Sequence, residues 1–435
     1  IEKYPEFMLL FNVKGRILLA LKKFDESLAC YAKCLDEKEL RLEAYLNIGV
    51  INKKLGKIDR AINSYLEALN IDPDNAGALN NLGNLFKEKG QIDKAIEKFR
   101  EAIKSKPDHV GAHNNLALAF KKKGEIERAI KIYRKALEIE PQNLVVLKNL
   151  GIAYLEQEEI DKAITILSKA LNINPKNLSV LDHLARAYKM AKNFKKALEI
   201  LKIGKKIKPN DAYIHSSIAD IYRRKEKFKI SILYLERAIK LDNKNSEFYN
   251  NLGVTFSDVG ENEKAINSYK KSLKINPSNI EALNNMGVAL SKIGSFRKAI
   301  EYFKKTLKLR NDYSEAFYGL GRVYTEQGKF ARALENYNRL LELDPKHFRA
   351  MNSMVWPLIH LYKFKNGWEK YENRWNVDSN SKQKWPIKNR ELWSGQKDKR
   401  IVLWREQGIG DDILFLGLVP EVYQRSKSVI VYTLK

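Results

Sequence analysis

The chain has 435 residues, carries 79 Lys and Arg against 53 Asp and Glu for a formal net charge of +26, and is 44% apolar. This apolar share is large enough for a buried core and excludes a wholly disordered chain. The longest apolar run, residues 413–419, is much shorter than the roughly 20 residues that cross a bilayer. No basic-then-apolar leader opens the chain, and Cys30 and Cys34 alone exclude a disulfide framework, so a cytoplasmic location is expected.

An internal repeat of 34 residues dominates the sequence. Small residues recur at this spacing, and a second small residue follows each of them twelve positions later. The first set is Gly15, Gly49, Gly83, Ala117, Gly151, Ala185, Ala219, Gly253, Gly287 and Gly321. It defines repeats 1 to 10 as residues 8–41, 42–75, 76–109, 110–143, 144–177, 178–211, 212–245, 246–279, 280–313 and 314–347.

Each repeat has the pattern of two amphipathic helices. In repeat 3, Leu79, Leu82 and Phe86 have the spacing of one apolar stripe, and residues 92–103 carry a second. Pro107 then ends the second helix, because it has no amide hydrogen and disfavours helix in the residue before it. Neither helix can bury its stripe alone, so the repeats must stack on one another.

These features resemble the tetratricopeptide repeat, whose length and small, aromatic and proline positions match over residues 8–347. The resemblance implies an all-α, right-handed superhelical solenoid of ten to eleven helix-turn-helix repeats, with the first helices lining a concave face. The array is assigned to residues 1–347 and a degenerate capping repeat to residues 348–381. Glu158, Lys192 and Glu226 replace the glycine that ends the first helix in most repeats, so these turns are expected to be less tightly fixed.

A row of mostly asparagine residues lies two positions before the small residue of each first helix, where this repeat type points into its groove. Side-chain amides offer donors and an acceptor, so such a row can pair with an extended peptide of any sequence. It resembles the asparagine ladder of O-linked N-acetylglucosamine transferases, in which the ladder holds the protein substrate. Alternatively, these amides satisfy loops or neighbouring helices. The row is Asn47, Asn81, Asn115, Asn149, Asn251 and Asn285, interrupted by His183 and Ser217.

A cationic stripe is expected on the same inner side, four residues beyond the small residue. It consists of Lys53, Lys87, Lys121, Lys189 and Arg223, and it favours an acidic protein partner. The alternative is ordinary solvated surface. Nucleic acid is not expected as a partner, because the charges are spread over every repeat, and a membrane is not expected either. His109 and His113 lack a third ligand, so no metal and no other cofactor is expected.

The end of the chain changes character after a linker at residues 382–399. Residues 400–435 have the pattern of a strand at Arg400–Trp404, a glycine-rich loop, a helix at Ile413–Arg425 and a strand at Ser428–Leu434. This order is the start of a βαβ unit, which builds parallel sheets.

Three segments near this end, residues 364–375, 393–395 and 406–411, resemble bacterial repeat proteins fused to a heptosyltransferase-like glycosyltransferase. That family has two Rossmann-like halves (GT-B). The resemblance implies that Asp411 is the general base and that Gly408 and Gly410 shape the loop near the sugar and nucleotide. Alternatively, Asp411 only caps the following helix.

The sequence therefore predicts a fragment of a repeat-guided glycosyltransferase, because it does not begin with Met and two strands cannot complete a Rossmann-like half. In the whole protein, the groove would recruit a protein and the domain beginning at residue 400 would transfer sugar from a nucleotide-sugar donor. The chain itself is expected to bind partners without catalysis. The alternative is a non-catalytic scaffold that assembles protein complexes.

Overall fold

The computed structural model describes residues 6–371, 400–404 and 428–432. The chain divides into two compact units, residues 1–343 and 344–435, close to the predicted end of the array at residue 347. In the first unit every repeat forms two antiparallel helices. They are α1 (Glu6–Ala20), α2 (Phe24–Cys34), α3 (Lys38–Lys54), α4 (Ile58–Ile71), α5 (Ala76–Glu88), α6 (Ile92–Ser105), α7 (Val110–Lys122), α8 (Ile126–Ile139), α9 (Leu144–Glu156), α10 (Ile160–Ile173), α11 (Leu178–Met190), α12 (Phe194–Ile207), α13 (Ala212–Arg224), α14 (Phe228–Leu241), α15 (Ser246–Asp258), α16 (Asn262–Ile275), α17 (Ile280–Lys292), α18 (Phe296–Leu309), α19 (Ser314–Glu326) and α20 (Phe330–Leu343).

Close packing inside each repeat depends on the small residue of the first helix. In repeat 3, a Cβ atom added to Gly83 would lie 2.6 Å from Cε1 of the Phe99 ring. Ala95 and Phe99 are fully buried in the same helix pair. Because the aromatic ring occupies the space of the absent side chain, the two helices approach closely.

The repeats stack in chain order, as neither helix of a pair can bury its apolar stripe alone. Each second helix packs on the first helix of the next repeat, for example α6 on α7 and α8 on α9. A continuous core of buried aliphatic and aromatic side chains runs through repeats 3 to 6 in this way, from Ala95 to Ala187. The predicted helical solenoid is confirmed.

The turns between the two helices of a repeat use a left-handed residue, with φ of +77° at Gly90 and +86° at Gly124. Glu158, Lys192 and Glu226 adopt the same conformation, with φ of +59°, +56° and +57°. The turn at Glu158 closes with a bond from Glu159 N–H to Tyr154 O of 2.9 Å, and the turn at Gly90 closes with an equivalent bond of 2.9 Å. The middle turns therefore have the same conformation and the same closing hydrogen bond as the glycine turns, and their looser fixing stays a prediction.

The second unit begins with a helix pair whose first member is interrupted. Helices α21 (Phe348–Ser353) and α22 (Val355–His360) are separated at Met354, and α23 (Phe364–Tyr371) follows. Pro357 explains the break, because it has no amide hydrogen for the helical ladder and its ring crowds the preceding turn. The rest of the predicted capping repeat lies outside the described residues.

Two strands of the second unit lie where the sequence predicts them, β1 (Arg400–Trp404) and β2 (Ser428–Tyr432). They pair in parallel, with Arg400 opposite Ser428 and Trp404 opposite Tyr432. The predicted helix at residues 413–425 and the linker at residues 382–399 lie outside the described part of the chain.

Candidate peptide-binding face

The candidate site is the surface formed by the first helices, called here the first-helix face. First helices of neighbouring repeats touch directly, as α5 touches α7 and α15 touches α17. Side chains at equivalent positions of successive first helices therefore come within reach of each other. This proximity decides what the predicted asparagine and lysine rows do.

Seven of the ten first helices start at a side-chain cap that sequence reasoning missed, namely α5, α7, α9, α11, α13, α15 and α17. Helices α3 and α19 start without one. Asn143 Oδ1 accepts a hydrogen bond of 3.1 Å from Val146 N–H, and His109 Nδ1 accepts one of 3.2 Å from Ala112 N–H. Such caps satisfy amide groups that have no partner inside the helix and so set where the helix begins. The available signal was a capping residue two positions after the repeat proline, as at Asn75, His109, Asn143, Asn177, Asp211 and Asn279.

The asparagine row bonds from one repeat to the next. Asn115 Nδ2 donates to Asn80 Oδ1 at 2.9 Å, and Asn149 Nδ2 donates to Asn114 Oδ1 at 2.8 Å. Each donor lies 35 residues after its acceptor. The acceptor is therefore the asparagine that comes one position before the row residue of the previous repeat. The alternative interpretation of the sequence was that these amides satisfy groups of neighbouring helices. One N–H of each donor amide does so.

A second bonded segment occupies repeats 7 to 9. Asn285 Nδ2 donates to Asn250 Oδ1 at 3.0 Å, and Asn251 Nδ2 reaches Ser216 Oγ at 3.4 Å. Between the two segments, His183 turns to the carbonyl oxygen of Ser179 in its own helix, with Nδ1 at 2.7 Å. The row is therefore two ladders separated at repeat 6.

The first two members of the row differ from the others. Asn47 Nδ2 donates to Glu43 O in its own helix at 2.9 Å. Asn81 is hydrogen bonded to the Tyr65 side chain; burial raises the pKa of Tyr65 to about 12, and the bond to Asn81 opposes that rise. The amide ladder thus begins at Asn80, in repeat 3.

The predicted cationic stripe is neutralised at four of its five positions. Lys53 lies 2.9 Å from Glu88, Lys121 lies 2.8 Å from Glu156, and each acidic residue belongs to the next first helix. Lys189 and Arg223 pair in the same way with carboxylates of the following repeat, Asp220 at 2.7 Å and Asp258 at 2.8 Å. The expected uncompensated positive stripe, and the argument from it for an acidic partner, are corrected by these ion pairs.

Lys87 differs from the other cations of the stripe. Its Nζ donates to Asn84 Oδ1 at 3.0 Å and lies 5.7 Å from the centre of the Phe99 ring. Burial and the positive charges of Lys53 and Lys122 lower the pKa of Lys87, while Glu88 opposes the shift. A half-buried ammonium group beside the first amide ladder is suited to bind a carbonyl or carboxylate oxygen.

Asp220 holds the densest charge cluster of the first-helix face. Its Oδ2 lies 2.7 Å from Lys189 Nζ, and its Oδ1 lies 3.2 Å from Arg223. Burial favours a raised pKa for Asp220, but the hydrogen bond and charge of Lys189, together with Arg224 and Arg223, outweigh burial and lower that pKa. The carboxylate is thus fixed as an anion between three cations, which ties repeats 6 and 7 together.

The residues predicted for catalysis, Asp411, Gly408 and Gly410, lie outside the described residues. In the part of the chain that is described, no cluster of His, Cys, Asp and Glu side chains could hold a metal ion. No helix among those residues combines the length and the apolar character needed to cross a bilayer.

Comparison with known families decides the nature of the repeats. Residues 10–39 and 279–346 match families described as tetratricopeptide repeat, and residues 53–90 match one described as TPR repeat. The chain contains tetratricopeptide repeats. Residues 74–282 also match the C-terminal domain of cilia and flagella-associated protein 70.

Among individual relatives, this chain is similar to Protein FlbA of Caulobacter vibrioides. The two are 32% identical over 69 residues, which cover 15% of this chain and only 11% of the length of that relative. A solved tetratricopeptide repeat protein from Parabacteroides merdae has 20% identity and a TM-score of 0.49, over 57% of this chain and 98% of that one. Yeast Tom70 has 13% identity and a TM-score of 0.47, over 86% and 92% of the two chains.

Proposed function

We propose that the tetratricopeptide repeats bind an extended segment of another protein along the first-helix face, with repeats 3 to 5 as the main contact. The observation that carries this proposal is the amide ladder from Asn80 to Asn149. Inter-repeat hydrogen bonds hold these amides in fixed orientations, so little side-chain freedom is lost when a ligand binds.

The ladder leaves groups available for a peptide backbone. Asn149 uses one N–H in its bond to Asn114, and a side-chain amide has two N–H groups and a carbonyl oxygen. Backbone N–H and C=O groups recur in every peptide, so recognition through amides tolerates many sequences. Lys87 adds one positive charge beside the ladder, which favours a carboxylate or an exposed carbonyl at that point.

Replacing Asn81, Asn115 and Asn149 with alanine tests the proposal. We expect this triple variant to lose at least about tenfold in affinity for a pool of extended peptides, because each amide hydrogen bond contributes about 1 kcal/mol. The matched control replaces Asn63, Asn70 and Asn172, which are exposed on second helices. Fluorescence anisotropy would measure binding, and thermal unfolding would separate loss of binding from loss of folding. Equal peptide affinity of the triple variant and the wild type would contradict the proposal.

We further propose that the repeats recruit protein substrates for a glycosyltransferase that begins near residue 400. One observation favours this assignment over a repeat array alone: β1 and β2 pair in parallel. Parallel neighbours need a crossover connection, which is usually a helix, as in the first βαβ unit of a Rossmann-like half. Asp411 would then accept the proton of the acceptor hydroxyl, and Gly408 and Gly410 would shape the loop beside it.

An Asp411→Asn variant of the full-length protein tests the catalytic part. We expect loss of sugar transfer from a nucleotide-sugar donor with unchanged peptide binding, because only the proton acceptor is removed. Retained turnover would remove Asp411 as the general base. If the full-length protein transfers no sugar from any nucleotide-sugar donor, the non-catalytic scaffold, which needs only the repeats, is the better description.

A further inference from the structure

The second helices of repeats 6 to 9 carry a dense row of cations on their outward side. Helices α12, α14, α16 and α18 each have three outward positions, twelve in all. Ten of these positions hold a cation, and the other two hold Ile203 and Glu236. We call the ten cations the lysine ridge: Lys202, Lys206, Arg237, Lys240, Lys270, Lys271, Lys274, Lys304, Lys305 and Lys308, all of them exposed.

The ridge points away from the core of the repeats. In α16, Tyr269 and Ser272 are buried, whereas Lys270, Lys271 and Lys274 are exposed. The rotation of 100° per residue of an α-helix separates these two groups onto opposite sides. Lys206, Lys240, Lys274 and Lys308 recur at 34-residue spacing, so the ridge crosses four successive second helices in register.

Among the described residues, none of the ten ridge cations has a carboxylate within ion-pair distance. Arg237 donates to Asn210 Oδ1 at 3.3 Å, and Lys305 lies 4.9 Å from the centre of the Tyr302 ring. Glu301, a carboxylate of α18, pairs instead with Arg297 of the same helix at 3.9 Å.

The same outward positions in repeats 2 to 5 hold a different mixture. They are Leu66, Glu67, Asn70, Arg100, Glu101, Lys104, Arg134, Lys135, Glu138, Ser168, Lys169 and Asn172. There, Glu101 pairs with Lys98 at 2.9 Å. The even spread of charge along the sequence therefore conceals an uneven distribution over the surface.

We propose that the lysine ridge binds the phosphate backbone of duplex nucleic acid. Lysine neutralises phosphates as a point charge, and such contacts supply sequence-independent affinity. The twelve outward positions contain no aromatic side chain on which the bases of a single strand could stack. A linear row of unpaired cations matches a linear polyanion, and this surface is separate from the first-helix face.

A lipid surface fits the ridge less well. Exposed aliphatic side chains near the ridge include Ile203 of α12 and Ile230 and Leu233 of α14, whereas the six densest lysines belong to α16 and α18. Bilayer binding by a surface of this kind needs apolar side chains beside the charges. Ile275 and Leu309 follow ridge lysines, but that position is aliphatic in most repeats, including repeats without the ridge, as at Ile71 and Ile139.

The test replaces the six lysines of α16 and α18 with glutamine. Its matched control removes the same charge from repeats 2 to 5 through Lys57, Lys104, Lys131, Lys135, Lys169 and Lys176, all exposed. The probes are a labelled duplex DNA of about 20 base pairs, titrated between about 50 and 200 mM salt, and vesicles containing phosphatidylserine. Thermal unfolding would verify that both variants fold.

We expect the wild type to bind the duplex with a steep salt dependence. The ridge variant should lose at least about tenfold in affinity, and its slope of log K against log salt should fall by roughly 5, since each lysine releases about one counterion. The control variant should keep most of the slope. Equal losses in both variants would overturn the proposal in favour of diffuse charge. Binding to vesicles without binding to the duplex would overturn it in favour of a membrane surface.

Discussion

At the scale of single residues, left-handed turns carry an identifiable cost in the middle of the array. Glu158, Lys192 and Glu226 have positive φ without being glycine. A side chain in this region costs roughly 1–2 kcal/mol relative to a right-handed conformation. The turn is nevertheless retained, because packing of the helix pair on both sides determines where the chain must reverse.

Replacing Glu158 with glycine should therefore stabilise the protein. We expect the free energy of unfolding to rise by about 0.5–1 kcal/mol, as removal of the strain exceeds the entropy that glycine adds to the unfolded chain. Gly124→Glu, which places the same side chain at the equivalent turn of the preceding repeat, should lower the free energy of unfolding by about 1 kcal/mol. Urea unfolding followed by circular dichroism measures both, and a loss of stability in Glu158→Gly would show that this turn is not strained.

Asp220 gives a prediction about pH at the same scale. Because its pKa is lowered in the folded state, it stabilises the fold above its unfolded pKa of about 4, and this contribution is lost as the pH falls through the folded value. Asp220→Asn should lower the free energy of unfolding by about 1–2 kcal/mol at pH 7, because Lys189 and Arg223 lose their anionic partner. The difference from the wild type should shrink below about pH 4.

Urea unfolding between neutral and acidic pH would follow this difference. Asp59→Asn serves as the control, because the Asp59 side chain is 83% exposed beside Lys89 and such pairs contribute little. A stability difference between Asp220→Asn and the wild type that stays constant with pH would contradict the assignment.

At the scale of elements, side-chain caps fix the start of most first helices and with them the position of the binding face. Asn143→Ala should lower the free energy of unfolding by about 1 kcal/mol, because the Val146 N–H loses its acceptor. Asn143→Asp should restore most of it. Native-state hydrogen exchange at the start of α9 would detect the change, and unaltered exchange there would show that the cap is dispensable.

Elements could be predicted from the sequence because each helix pair depends on nearby residues. The spacing of Gly83 and Ala95 indicated both helices of repeat 3, and the apolar strands at residues 400–404 and 428–432 were also located correctly. The left-handed conformation of Glu158 could not be predicted, because glycine is the usual residue for it and is absent there. The caps were not predicted, although a residue able to cap stands two places after the repeat proline, as at Asn143.

At the scale of the whole molecule, the stability of each repeat depends on its contacts with the neighbouring repeats. Leu150 and Leu320 occupy the same position in repeats 5 and 10 and are 1% and 3% exposed. Replacing either leucine with alanine should lower the free energy of local unfolding by about 2–5 kcal/mol. Leu150→Ala should weaken hydrogen-exchange protection on both sides of repeat 5, whereas the effect of Leu320→Ala should stay near repeat 10.

Hydrogen exchange measured by mass spectrometry would resolve these two patterns. Uniform loss of protection over residues 6–343 in both variants would show that the array unfolds as one cooperative block. A decay of the effect over one or two repeats would instead support nearest-neighbour coupling, and would mean that distant parts of the binding face respond independently to a ligand.

The sequence by itself determined the repeat length, the helix pairs and the approximate strand positions, because each depends on residues close together along the chain. Only the tertiary structure decided how polar groups are used. Asn149 meets Asn114, and Lys121 meets Glu156, across 35 residues. Those bonds depend on the rotation and shift between stacked repeats, which a repeating pattern leaves open. The same stacking neutralises the cations of the first-helix face and aligns the lysine ridge on the opposite side of the second helices.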